Sequence, residues 1–252
     1  MRFLSSVTVL ALALGLTLGL PLSATAFASD YAREKNWADE VTPSVMTGDP
    51  VWLELSGGHK FLTLFTEAGD AKAGVIVVHG MGVHPDWGLI GPLRQNLPEK
   101  GYATLSIQMP VLKADAKGDA YPPTFDEAAE RIKVALDFMQ AKGYKKLVVA
   151  SHSMGSRMTA HYLQRHPDAP LAAWVAVGAP AALDYGKLKF PVLDLYGEND
   201  LPQVLATAKD RAKGLKGQAR SAQKMAPKAD HFFNGKDALL LEMVQGWLDQ
   251  TL

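Results

Sequence analysis

Two apolar stretches, Val75-Ile76-Val77-Val78 and Leu147-Val148-Val149-Ala150, constrain this chain more than any other feature. Neither alternates with polar residues, so both faces of each need a cover. Strands of that kind sit in the middle of a parallel sheet with helices packed on either side. Further apolar runs stand at Tyr102–Ile107, Ala172–Val177 and Val192–Tyr196. Helical spacing fills the gaps. It is clearest over Thr124–Lys142, where Phe125, Ala128, Ala129, Ile132, Ala135, Leu136 and Met139 recur on one face. Thr124 and Glu127 have the spacing of a capping box, and Gly143 ends the run. Helices are also expected at Trp87–Lys100, Met154–Arg165, Leu201–Lys213 and Lys236–Gln250. Strands alternating with helices predict an α/β fold, a doubly wound and mostly parallel sheet with right-handed crossovers.

Val51–Leu55 and Lys60–Thr66 alternate in polarity around Gly57-Gly58, which predicts a hairpin at the sheet edge. Residues 29–49 are polar, carry Pro43 and Gly48, and read as a surface arm. Residues 50–252 read as one domain.

Ahead of these lies a different kind of segment. Arg2 is the only charge in residues 1–28, and Val7 to Leu20 is an apolar run that Pro21 breaks. Ala24-Thr25-Ala26 and Ala26-Phe27-Ala28 follow as small-x-small sites. This pattern predicts a secretory signal peptide over 1–28 and an exported protein, periplasmic or secreted, with no stable membrane span after cleavage. An uncleaved anchor is the alternative.

Composition narrows the function classes. With 26 basic and 26 acidic side chains, nothing marks a nucleic-acid partner. The absence of Cys excludes a thiol nucleophile, disulfides and zinc-thiolate sites. There is no His-Glu-x-x-His pattern, no phosphate loop and no dinucleotide glycine pattern, so neither a metal nor a cofactor is expected.

The chemistry concentrates at Ser151-His152-Ser153-Met154-Gly155. It follows an apolar strand and opens a helix, the context of a nucleophile elbow with Ser153 at its tip. The competing reading is an ordinary helix N-cap by Ser151 or Ser153. A serine hydroxyl needs a base to take its proton. Beyond the Val192–Tyr196 run only one imidazole remains, His231, in a loop before the last helix. Asp184, Asp194, Glu198 and Asp200 are the candidate acids. Asp200 is preferred because it stands just past the carboxyl end of that run, where ligand sites gather in open parallel sheets. Asp194, within the run, is the rival. The glycine-rich turn His79-Gly80-Met81-Gly82 follows the Val75–Val78 run and suits an oxyanion hole. Its donors would be the backbone N–H groups of Met81 and Met154.

On His79-Gly80-x-Gly82, Ser151-x-Ser153-x-Gly155, Gly197-x-x-Asp200 and Asp230-His231, the chain resembles an α/β-hydrolase over about residues 50–252. It resembles more closely a family of exported bacterial α/β-hydrolase-like proteins known only as a domain of unknown function. That likeness rests on His79 to Trp87, Ile90-Gly91-Pro92-Leu93-Arg94 and Gln108-Met109-Pro110. The resemblance implies an eight-stranded, mostly parallel sheet. It also implies Ser153, Asp200 and His231 as a triad, with Met81 and Met154 as oxyanion donors, and it supplies no substrate. Gly178 to Pro191 leaves no room for the large cap that many such enzymes carry. The longer loop, Gln108 to Pro123, is expected to shape the pocket through Tyr121, with Trp87 and Phe232 as apolar walls.

The reading is a serine hydrolase of small or medium carboxylic ester-like substrates. Its alternatives are an acyltransferase using the same acyl-enzyme and a non-catalytic envelope-associated binding protein on the same scaffold.

Overall fold

The computed structural model describes residues 29–252, so the expected signal segment lies outside the described residues. Eight strands form one sheet: β1 (Asp49–Glu54), β2 (Lys60–Thr66), β3 (Ala73–Val78), β4 (Tyr102–Ile107), β5 (Leu147–His152), β6 (Ala173–Val177), β7 (Val192–Asn199) and β8 (Ala222–Asp230). Their order is β1-β2-β4-β3-β5-β6-β7-β8. β2 pairs antiparallel with both β1 and β4, and every other pairing is parallel. Among the described residues six helices accompany the sheet: α1 (Tyr31–Val41), α2 (Ile90–Asn96), α3 (Phe125–Ala141), α4 (Met154–Arg165), α5 (Pro202–Leu215) and α6 (Asp237–Thr251).

The unbroken apolar runs explain this arrangement. In β3, Ile76 and Val78 face a core shared with Ile132 and Leu136 of α3 and Met158 of α4. Val75 and Val77 face the opposite core, with Leu93 of α2 and Leu240 and Trp247 of α6. Each central strand therefore feeds two hydrophobic layers, and all of β3, β4, β5 and β6 is buried. Among the described residues no helix is long and apolar enough to cross a membrane.

The arm at 29–49 is not the surface segment its polarity suggests. Asp30 caps α1 by accepting from Arg33 N–H. Glu34, Ala38 and Val41 recur at helical spacing and are buried. Ala38 and Val41 pack on Leu62 and Leu64 of β2. Glu34 meets Arg131 of α3, whose two terminal nitrogens donate to both carboxylate oxygens at 3.0 Å. Arg131 is fully buried and also pairs with Glu127. Burial is the largest influence on the Glu34 carboxyl and pushes it up, and the Arg131 charge opposes the rise.

Three other expectations change. Thr124 does not cap α3. The preceding Pro122–Thr124 turn leaves it in helical geometry, and its hydroxyl donates to Tyr121 carbonyl instead. Glu127 serves Arg131 and Ser29 rather than a capping box. The helix expected at Trp87–Lys100 is confined to α2, because Gly88 adopts φ +55° ahead of it and a separate 3-10 turn holds Pro98–Lys100. Finally, β8 is a strand that no apolar run marks, and it takes in Ala229 and Asp230 of the expected His231 loop. It is polar and carries Pro227, which an edge strand with one neighbour tolerates.

Candidate functional site

The carboxyl ends of β3, β5 and β7 face one cleft. At the end of β5, Ser153 has φ 54° and ψ −120° and no capping hydrogen bond from its side chain. A non-glycine residue held there is under backbone strain. This backbone is an elbow and not a relaxed N-cap. Its neighbours explain how it closes. A Cβ added to Gly155 would lie 2.5 Å from His79 carbonyl oxygen and 2.8 Å from that of Val78. Ser151, in the place where a glycine is common, fits because its hydroxyl is engaged: Trp174 Nε1–H donates to it at 2.8 Å.

Ser153 Oγ lies 3.0 Å from His231 Nε2, and His231 Nδ1 lies 2.6 Å from Asp200 Oδ1. Burial raises the Asp200 carboxyl. The bonds from His231, Gly197 N–H and Leu201 N–H outweigh that, so the net displacement is downward. An ionised carboxylate only accepts, so His231 Nδ1–H donates to it and Nε2 is free to accept from the Ser153 hydroxyl. β7 runs on to Asn199, which sets Asp200 directly past the strand. His231 follows β8 immediately. Its turn is shaped by Asp230, whose carboxylate accepts from Phe232 N–H and Asn234 N–H.

Asp194 takes no part in this series. It is buried against Arg211, Tyr185 and Gln223. Asp184 accepts from Gly186 N–H, and Glu198 from Lys228 N–H.

His152 is a residue whose part the motif does not reveal. Its Nε2–H donates to His231 carbonyl at 3.0 Å. Burial lowers its pKa to about 3, so it stays neutral and acts as a fixed donor. It thereby ties the His231 loop to the elbow.

The His79–Gly82 turn is braced from both sides. His79 Nε2 accepts from Met109 N–H at 2.9 Å, which leaves Nδ1–H to donate to Gly80 carbonyl at 2.8 Å. Burial lowers the His79 pKa to about 3, so it is a neutral cross-link. Gly82 has φ +71°, and its carbonyl accepts from Arg33 of α1 at 3.0 Å, while Arg33 also donates to Leu112 carbonyl at 2.7 Å. Helix α1 thus props the turn that carries Met81. Among the described residues, neither Met81 N–H nor Met154 N–H has a hydrogen-bond partner. Both residues line the cleft with Ser153.

The cleft has a volume of about 550 Å³. Trp87 and Phe232 line it, with ring centroids 5.5 Å apart in an edge-to-face contact. Tyr121 does not line it. At 1% exposure it is buried beneath the turn, where its hydroxyl accepts from Leu112 N–H. Its ring belongs to the core, and a 3-10 turn at Pro122–Thr124 follows it. Arg157, one helical turn after Ser153, also lines the cleft. Between β6 and β7 the regular structure is a single 3-10 turn at Tyr185–Lys187.

The sheet order and the strand-to-helix elbow are those of the α/β-hydrolase fold. Residues 44–128 and 113–250 match the family described as Protein of unknown function (DUF3530), and the chain belongs to that family. No curated protein matches it in sequence. Solved structures share the fold. A dienelactone hydrolase from Anabaena variabilis is similar at 21% identity and a TM-score of 0.65, over 81% of this chain and 97% of that one. An alpha-beta serine hydrolase homologue from Coxiella burnetii has 20% identity and a TM-score of 0.62, over 80% and 98%. Est1E from Butyrivibrio proteoclasticus has 16% identity and a TM-score of 0.60, over 80% and 98%.

Proposed function

We propose that the protein is a serine hydrolase of small carboxylic ester-like substrates, working through an acyl-enzyme. The observation that carries this reading is the series Ser153–His231–Asp200, with links of 3.0 Å and 2.6 Å, at the floor of an open cleft. Ser153 Oγ bonds to the ester carbonyl carbon as His231 Nε2 takes its proton. The carbonyl oxygen becomes an oxyanion between Met81 N–H and Met154 N–H. Collapse breaks the bond to the alcohol, which leaves with the proton from His231. Water, deprotonated by the same imidazole, then attacks the acyl carbon; the bond to Ser153 Oγ breaks, that oxygen takes the proton back from His231, and the carboxylic acid departs. Asp200 holds the imidazole in the required tautomer and stabilises the imidazolium. Each oxyanion donor is worth about 2.7–4 kcal/mol of transition-state stabilisation.

The strain at Ser153 supports the same reading, since backbone strain of about 1–3 kcal/mol persists where the surroundings enforce it, and such sites cluster at active centres. The short β6–β7 connection and a cleft of about 550 Å³ support small or medium esters as substrates. The apolar run in 1–28 supports a site of action outside the cytoplasm, periplasmic or secreted.

The test is turnover of 4-nitrophenyl butyrate by the parent and by Ser153→Ala. The reading expects hydrolysis by the parent and a loss to background in the variant. Equal rates from both would overturn it.

A further inference from the structure

We infer that Arg157 selects substrates carrying a carboxylate a short distance from the ester bond, an inference that rests on the serine hydrolase reading. Ser153 stands at the elbow that opens α4, and Arg157 lies in the first turn of that helix. Both line the cleft, and among the described residues no other lining side chain carries a permanent charge. The Asp200 carboxylate lies behind His231, occupied by His231 and two backbone donors.

The surroundings of Arg157 separate it from the structural arginines. Arg94, Arg131, Arg165 and Arg211 each hold a carboxylate, and Arg33 and Arg220 donate to backbone carbonyls. Among the described residues Arg157 pairs with none. Its guanidinium carbon sits 5.4 Å from the Phe125 ring centroid, and Nη1 sits 3.6 Å from Met154 Sδ. These contacts orient the group without neutralising it. A half-buried guanidinium with free donors, among walls such as Trp87 and Phe232, is an unbalanced positive charge facing the cleft. Such a fork matches a carboxylate with two parallel hydrogen bonds. One guanidinium balances one negative charge, so a phosphate dianion would remain half compensated. Four residues of helix rise about 6 Å, which a linker of a few carbons spans.

Two matched substrate pairs test this in the full chain. On the acyl side, 4-nitrophenyl hydrogen adipate is compared with 4-nitrophenyl methyl adipate. On the alcohol side, 4-hexanoyloxybenzoate is compared with its methyl ester. The parent should prefer the charged member of at least one pair. Arg157→Gln should lower kcat/KM for that member at least tenfold more than for its neutral partner, chiefly through KM. Arg157→Lys should retain part of the preference, since it keeps the charge and loses the fork. Added salt should weaken the parent's preference. No preference in either pair, or an equal loss on both members in Arg157→Gln, would overturn the inference. Labelling of each protein by a fluorophosphonate separates the two claims. A labelled but unselective parent removes the carboxylate specificity alone, whereas an unlabelled parent removes the hydrolase reading and this inference with it.

Discussion

Gly155→Ala gives a prediction whose sign depends on the geometry of the elbow. Gly155 lies in the first turn of α4, with no positive φ. If nothing crowded it, alanine would stabilise the helix by about 1 kcal/mol. The structure says otherwise. The new Cβ would lie 2.5 Å from His79 carbonyl oxygen, 2.8 Å from Val78 carbonyl oxygen and 2.9 Å from Val78 Cγ1. Ordinary contact is about 3.5 Å, so α4 and the end of β3 must part by about 1 Å. Overpacking of this kind costs about 1–3 kcal/mol. Set against the propensity gain, the net destabilisation is about 0–2 kcal/mol, or a Tm lower by at most about 8 °C for a chain this size. The effect on rate is larger. The displaced atoms include the backbone leading directly into Gly80 and Met81, and a 1 Å misplacement costs about 100-fold in catalysis. Thermal melting and turnover of 4-nitrophenyl butyrate, run on the same preparation, check both numbers. A variant with parental turnover and a raised Tm would refute the reasoning, because it would mean that the elbow and the oxyanion turn are not in tight contact.

Asp200→Asn should lower kcat by about 10⁴-fold with little change in Tm, because an amide that donates to Nδ1 leaves His231 Nε2 protonated and unable to accept from Ser153. Stopped-flow kinetics on an activated ester reads this, and a loss under tenfold would count against the assigned tautomer. Glu34→Ala removes a carboxylate that lies 97 residues from Arg131 in the chain and leaves that guanidinium with Glu127 alone among carboxylates. Destabilisation of about 3–5 kcal/mol is expected from urea unfolding, since a buried charge loses a partner; a shift under 1 kcal/mol would show that α1 is not anchored by this pair. Stability should fall on acidification. His79 and His152 have folded pKa values of about 3 against 6.5 for the free side chain, so between these limits the unfolded chain binds the extra protons. Each contributes a slope of up to about 1.4 kcal/mol per pH unit. Glu34 and Asp194, pushed up by burial, act in the opposite sense and offset part of it. Urea midpoints at pH 7 and pH 5 check the direction, and a midpoint that holds or rises at pH 5 contradicts it.

The sheet is legible in the sequence because its central strands are apolar on both faces, which few other structures require. The positions of Ser153 and Asp200 are legible for a related reason: each closes an apolar run, and a parallel sheet sends those ends to one side. His231 is harder. Its strand, β8, reads Ala-Gln-Lys-Met-Ala-Pro-Lys-Ala-Asp and carries no apolar alternation, because an edge strand has one neighbour and a wet flank. Helix α1 is hidden by chemistry rather than by pattern. The residue at the centre of its buried face is Glu34, which only Arg131 makes tolerable, and no local window contains both. Tyr121 fails as a pocket residue because an aromatic in a long loop signals burial as readily as exposure. The part played by His152 depends on a carbonyl 79 residues away, a contact that no spacing rule reaches.

Mass spectrometry of the fluorophosphonate adduct tests the central claim most directly. Trypsin releases Leu147 to Arg157 as one peptide, with Ser151, Ser153 and Ser156 all inside it. Fragmentation should place the phosphonate on Ser153 alone, and Asp200→Asn and His231→Gln should each abolish its formation on the timescale of parental labelling. An adduct on Ser151 or Ser156, or labelling of Ser153 at the parental rate in both variants, would contradict the account.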